Sequence, residues 1–480
     1  MSDFLDRKIN HYKKALLIKP DNAEVYSQLA EYYYNRGQLQ ESATACETAL
    51  KIEPNLVNAS KTLALVLQEQ GQVDAAFELY NNLGDLFVKE GNLEEAIPAY
   101  RCAIELKPDA YKVYYKLGEI WENREQWEDA IYLYLNCLYL YENLKDAKPL
   151  FREAYQKVLL DKNPLYPLQK LICVYRKIIK EKPDFSLAYV GLGDLLTQQG
   201  KIEEAIFCYK TASYNKLLSS HPGLAKIDCH PQNQSDPNFL IVGIGKGGTS
   251  SLYYYLTQNP RILPALIKEI RFFDENFEKG LDWYLSHFPP IPKTSTFLTG
   301  EATPWYFVTG DVEKKIASIF PEIKLILVLR NPLFRSFSHF QMDFKNGREK
   351  RSFTEAITSE IEAIRNLADP SQADFNYWQS EKGYLLFSLY VYFLEKWMAV
   401  FPREQFLILQ SEDFYANPAA TLTQVFEFLD VPDYALPEYP NYNPGAYNPI
   451  DDNLRQRLAD FFRPHNQKLE EYLGMTFNWD

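Results

Sequence analysis

The sequence predicts an array of paired α-helices followed by an α/β domain built on a mainly parallel sheet. Landmarks in the first half recur with a period of 34 residues, short apolar runs in the second half alternate with helical patterns, and a polar, proline-bearing stretch separates the two. At 480 residues the chain exceeds one ordinary core, and 46 % hydrophobic residues suffice for more than one.

The repeats come first, over residues 1–216. Lys19-Pro20-Asp21 and Glu53-Pro54-Asn55 stand 34 residues apart, as do Gly37 and Gly71. Between them small and large packing positions recur: Tyr26, Leu29 and Ala30, then Ala43, Ala49 and Pro54. Further copies run through Tyr114, Leu117, Gly118, Trp121, Ala130 and Tyr134, and through Tyr189, Leu192, Gly193, Gly200, Ala205, Tyr209 and Ala212. Gly71 and Gly91 are only 20 residues apart and residues 143–182 lose the pattern, so one repeat is cut short and at least one is degenerate. This spacing resembles the tetratricopeptide (TPR) helix pair. The resemblance implies a solenoid whose concave face holds a protein or peptide partner.

Residues 217–236, with His221-Pro222-Gly223 and Cys229-His230-Pro231, read as a linker, and residues 237–480 as the second domain. Its strand candidates are residues 239–242, 297–299, 325–329 and 406–409. Helical patterns at 312–320 and 384–400 separate them, which implies a sheet covered by helices.

Residues 238–253, Asn-Phe-Leu-Ile-Val-Gly-Ile-Gly-Lys-Gly-Gly-Thr-Ser-Ser-Leu-Tyr, read as a buried strand, a glycine turn and a helix. Gly243, Gly245, Gly247 and Gly248 free the backbone to aim N–H groups inward, and Thr249, Ser250 and Ser251 place hydroxyls at the positive end of the helix. A phosphate-like group suits that cradle. The nucleotide-hydrolase loop G-x-x-x-x-G-K-[ST] does not match, because Thr249 takes the lysine slot and the lysine comes three positions early, at Lys246. Farther on, 324–340 delivers Arg330 at the end of an apolar run, starts a helix at Asn331-Pro332, and places Ser338 about two turns along it. A guanidinium fork and a hydroxyl there suit a second phosphate.

Lys246 followed by Gly-Gly-Thr resembles the loop with which sulfotransferases hold the 5′-phosphosulfate of 3′-phosphoadenosine 5′-phosphosulfate (PAPS), and Arg330 and Ser338 match that family's 3′-phosphate ligands. Lys268-Glu-Ile-Arg-Phe-Phe-Asp274 is similar to the Lys-Glu-x-His-Phe-Phe segment of carbohydrate sulfotransferases of the heparan-sulfate type. The Gly300-Glu-Ala-Thr-Pro-Trp-Tyr306 turn and the 384–414 unit fit the same family. The resemblance spans about residues 237–475. It implies a P-loop-like sulfotransferase fold and transfer from PAPS to a hydroxyl, with adenosine 3′,5′-bisphosphate as product and no metal. It also implies Glu269 as the base, with Lys246 and Lys268 as cations at the transferring group. The implied cofactor ligands are Lys246, Gly247, Gly248, Thr249, Ser250, Ser251, Arg330, Ser338 and Tyr447. Three departures stand out: Arg271 replaces the usual histidine, Ala302 a usual lysine, and residues 442–447 a basic loop.

Bulk charge limits the partners. A net charge of −13 and a pI near 5.2 argue against nucleic-acid or anionic-membrane binding, so an anion site has to be local. Between residues 324 and 351 seven cations (324, 330, 335, 345, 348, 350, 351) face two acids, Asp343 and Glu349. Arg335 is expected to matter much less to the cofactor than Arg330. No 18-residue apolar run or apolar leader occurs, so no membrane span and a cytoplasmic location are expected. Six scattered cysteines (46, 102, 137, 173, 208, 229) suggest buried side chains rather than disulfides or zinc ligands, and six scattered histidines give no metal cluster.

Two other functions remain open. A nucleotide kinase or hydrolase should end its second strand in an aspartate for magnesium, where this chain has Arg330-Asn331-Pro332. A TPR scaffold with an inactive nucleotide-binding domain has no need to keep Glu269, Lys246 and Arg330 together. The acceptor can be a glycan, lipid, small alcohol or peptide tyrosine, with a sugar hydroxyl favoured by the Lys268–Asp274 resemblance alone.

Overall fold

The computed structural model describes residues 2–141, 168–226, 235–291, 296–367, 370, 383–440 and 450–479. It divides into two compact units, residues 1–195 and 196–480.

The first unit is helical throughout its described residues. Helices Ala23–Asn35 and Leu39–Ile52 form one antiparallel pair, and Tyr111–Asn123 and Trp127–Tyr141 another. Glycine makes the close approach within a pair: a Cβ on Gly118 would stand 2.6 Å from the Tyr134 ring. The short spacing between Gly71 and Gly91 has a physical explanation. Both take left-handed backbone (φ +74 and +75) and bracket the 17-residue helix Val73–Lys89. That helix packs Tyr80 and Leu83 with Ala64 of the preceding helix, while its Gly84 lies against Tyr100 of the next. It thus closes one pair and opens another. The irregular stretch at 143–182 lies largely outside the described residues, which resume there with helix Leu168–Glu181.

In the second unit five parallel strands, among the described residues, form one sheet ordered β2-β3-β1-β4-β5. They are β1 Phe239–Gly243, β2 Ile262–Pro264, β3 Leu298–Glu301, β4 Lys324–Leu329 and β5 Phe406–Gln410. β1 is buried at every position, as expected for a central parallel strand covered on both faces. The core gathers Phe239, Ile241, Ile326 and Val328 with Leu252 and Leu256 of helix Thr249–Leu256 and with Leu422, Val425 and Phe426 of helix Pro418–Leu429.

Strand order reverses about β1, whose neighbours are β3 and β4. The crevice beyond the carboxyl ends of β1 and β4 is therefore the expected ligand position of such a sheet. The β1–β4 register slips between Ile241 and Gly243, which turns the chain out of the sheet where the glycine loop begins.

Helix Ile202–Ser220, the last of the repeat region by sequence, belongs to this second unit. Residues 217–220, assigned above to the linker, complete it. Its Leu217 packs with Leu263 of β2, Lys216 Nζ donates to the Ala265 and Leu266 carbonyls at 2.9 and 3.1 Å, and Tyr209 stacks on His287. Among the described residues no helix is long and apolar enough to cross a membrane.

Candidate active site

The glycine loop is held against β4. The Ile244 N–H donates to the Val328 carbonyl (3.1 Å) and the Gly247 N–H to the Ile244 carbonyl (2.9 Å). A Cβ on Gly247 would stand 2.4 Å from the Val328 carbonyl oxygen, so only glycine fits there without a shift. Gly248, left-handed at φ +107, precedes helix Thr249–Leu256 and provides no side-chain cap, so the first amides of that helix face the loop's concavity.

Over the loop lies a cavity of about 610 Å³. Lys246, Gly248, Thr249, Ser250 and Ser251 line one wall, Arg330, Arg335 and Ser338 another, and Glu269 with Pro304 and Trp305 a third. Of the residues assigned from sequence, Gly247 and Lys268 do not line it. Gly247 is the floor that backs the loop onto β4, and the Lys268 ammonium is turned onto the Glu269 carboxylate. Tyr447 lies outside the described residues.

Charge in the cavity suits a polyanion. Burial, and then the Arg330 and Arg335 guanidinium groups, hold the Lys246 ammonium below its ordinary range, with Asp343 opposing. A bound anion would relieve that repulsion. Arg330 Nη1 donates to the Lys246 carbonyl at 3.1 Å, and the Tyr390 hydroxyl donates to the Arg330 carbonyl at 2.7 Å, so loop and strand end are fixed to each other. The Asn331 N–H donates to Glu412 at 2.9 Å and the Asn331 amide to the Trp479 carbonyl at 3.0 Å.

Arg335 is more than a solvated neighbour. Only 1 % exposed, it donates from Nε to the Gly245 carbonyl (3.1 Å) and from Nη1 to the Tyr384 carbonyl (3.2 Å), and burial lowers its pKa to about 10. The rest of the basic run divides: Arg348 pairs with Asp343 and Arg351 with Glu349, away from the cavity lining. Among the described residues no group of three or more His, Cys, Asp or Glu is arranged to hold a metal ion.

Beside Glu269 lies a buried carboxyl in the 300–306 turn. Glu301, fully buried at the end of β3, accepts from the Thr303 hydroxyl (2.5 Å), the Tyr306 hydroxyl (2.8 Å), the Tyr284 hydroxyl (3.4 Å) and the Ile270 backbone. Tyr306 in turn accepts the Phe272 N–H at 2.9 Å, and the Ala302 N–H donates to the Lys268 carbonyl at 3.0 Å. The segment carrying Glu269 is thus fastened to the end of β3 both through this carboxyl and through the Ala302–Lys268 backbone bond. Burial pushes Glu301 up to about 7, against those hydrogen bonds.

Residues 236–440 match the family model for the sulfotransferase domain, and residues 23–56, 84–122 and 187–216 match tetratricopeptide repeat models. The chain is 28 % identical over 300 residues to heparan sulfate glucosamine 3-O-sulfotransferase 5 of Mus musculus, covering 56 % of this chain and 82 % of that protein. It is 28 % identical over 274 residues to the bifunctional heparan sulfate N-deacetylase/N-sulfotransferase 3 of Homo sapiens, covering 49 % and 30 %. A solved sulfotransferase from Alicyclobacillus acidocaldarius shares 28 % identity, with 51 % of this chain and 99 % of that one covered at a TM-score of 0.43.

Proposed function

Since this chain carries a sulfotransferase domain behind tetratricopeptide repeats, we propose that it transfers a sulfuryl group from PAPS to a sugar hydroxyl with Glu269 as the base. The observation that carries the proposal is the single cavity lined at once by a phosphate cradle, by Arg330 and Ser338, and by Glu269. The heparan-sulfate relatives favour a sugar as acceptor.

PAPS supplies a sulfuryl group already activated by its bond to phosphate. The chain's own residues then have two tasks, to position and to neutralise. Lys246, the amides opening helix Thr249–Leu256 and the Thr249, Ser250 and Ser251 hydroxyls would hold the 5′-phosphosulfate. Arg330 and Ser338 would hold the 3′-phosphate. Glu269, partly exposed and pointed into the same cavity, would take the acceptor hydroxyl's proton, while Lys268, paired to it from outside the lining, would orient its carboxylate. The repeat region would hold a protein partner or an acceptor-bearing protein on its concave face, with the whole chain in the cytoplasm.

The test is equilibrium binding to the full chain. Adenosine 3′,5′-bisphosphate should bind without magnesium and more tightly than ATP does with or without it. Preference for ATP, or binding only with magnesium, would favour the kinase or hydrolase reading and sink this one.

A further inference from the structure

If the cavity does perform sulfuryl transfer to a sugar, the wall around Glu269 limits which sugar. The 268–279 segment holds three cations, Lys268, Arg271 and Lys279, and four carboxylates, Glu269, Asp274, Glu275 and Glu278. Each cation is satisfied within the segment. Lys268 pairs with Glu269, Arg271 with Asp274 (2.5 Å) and Glu275 (2.8 Å), and Lys279 with Glu278 (3.0 Å). Asp274 is 1 % exposed at its side chain, so releasing Arg271 to a ligand would strand a buried carboxylate. Ala302, which opens the turn leading to Pro304 and Trp305, is wholly buried and uncharged.

In place of free cations this wall offers, among the described residues, an indole. Trp305 lines the cavity with Glu269, and its ring is set by edge contacts to Phe387 and His339 at 6.0 and 5.8 Å and by the Arg271 guanidinium 5.9 Å from its centroid. An indole packs against the C–H face of a sugar ring and gains nothing from sulfate groups.

We infer that the acceptor is an uncharged sugar seated on Trp305, and not a sulfated or otherwise polyanionic glycan. This rests on the sulfuryl-transfer reading, and the experiment separates the two. The full chain, loaded with adenosine 3′,5′-bisphosphate in about 0.15 M salt, is titrated with a panel of neutral p-nitrophenyl glycosides and with a heparin hexasaccharide. At least one glycoside should bind about 10-fold more tightly than the hexasaccharide. Trp305→Ala should weaken that glycoside about 10-fold, while Trp305→Phe keeps most of its affinity and both variants bind the nucleotide within about threefold of the unsubstituted chain. Tighter binding of the hexasaccharide than of every glycoside, absence of any glycoside binding, or an unchanged glycoside affinity in Trp305→Ala overturns the inference. Each of those results leaves the sulfuryl-transfer reading standing so long as the bisphosphate binds, and loss of bisphosphate binding to the unsubstituted chain is what would remove that reading.

Discussion

Glu301→Gln should make the second unit progressively more stable, relative to the unsubstituted protein, as pH rises from about 4.5 to 8. The folded protein raises this carboxyl from 4.5 to about 7, chiefly by burial. A raised pKa means that the folded chain keeps a proton that the unfolded chain has lost. The stability this contributes is full below about pH 4.5, declines as pH rises through about 7, and is absent above it. That difference between the folded and unfolded carboxyl corresponds to about 3 kcal/mol. Glutamine titrates nowhere in this range, so the difference between variant and parent should grow by about 3 kcal/mol across the window. Glu360, buried and also pushed up to about 7, titrates in both proteins and cancels in the difference. Urea unfolding at several pH values, followed by tryptophan fluorescence, reads the effect, because five of the seven tryptophans (283, 305, 378, 397, 479) lie in this unit. A difference that stays flat with pH would refute the claim that an ionised Glu301 is penalised under the Glu269 segment.

Lys246→Ala and Arg330→Ala should each weaken adenosine 3′,5′-bisphosphate binding by about 1.5 to 3 kcal/mol, measured calorimetrically, as expected for charge-assisted hydrogen bonds. Arg335→Met should act first on the fold: with the Gly245 and Tyr384 carbonyls left unpaired, unfolding free energy should drop by about 2 to 4 kcal/mol, and an unaltered denaturation midpoint would show that the buried guanidinium braces nothing. Glu269→Gln should leave bisphosphate affinity within about twofold while turnover of the best acceptor falls about 100-fold or more, and turnover at the parent's rate would place the base elsewhere.

The sequence carried most of the sheet, and its omission is instructive. β1, β4 and β5 each hold an apolar run of four or five residues, which marks a covered strand, whereas β2 is only Ile262–Pro264 and ends on a proline. Three residues give no period to read. Among site residues, the loop and Arg330 were legible because glycines and a strand-end arginine act through local backbone. Tyr415 was not, since it joins the cavity only through pairing of β5 with its neighbour. The bracing role of Arg335 is hidden from the sequence for the same reason: its partners lie 90 and 49 residues away.

The assignment of helix Ile202–Ser220 to the second unit decides where a minimal enzyme can be cut. A fragment begun at residue 237, the boundary suggested by composition, would strip away Thr197, Tyr209, Lys216 and Leu217. The Trp283 indole would lose its 3.1 Å hydrogen bond to Thr197, His287 its contact with the Tyr209 ring, and β2 the apolar side chain that packs on Leu263. The exposed edge would be sticky, and poor solubility of such a truncation would say nothing about the chemistry. Beginning at residue 196 retains that helix, and a repeat-shaped element then serves as the lagging of the second unit rather than as part of the repeat array.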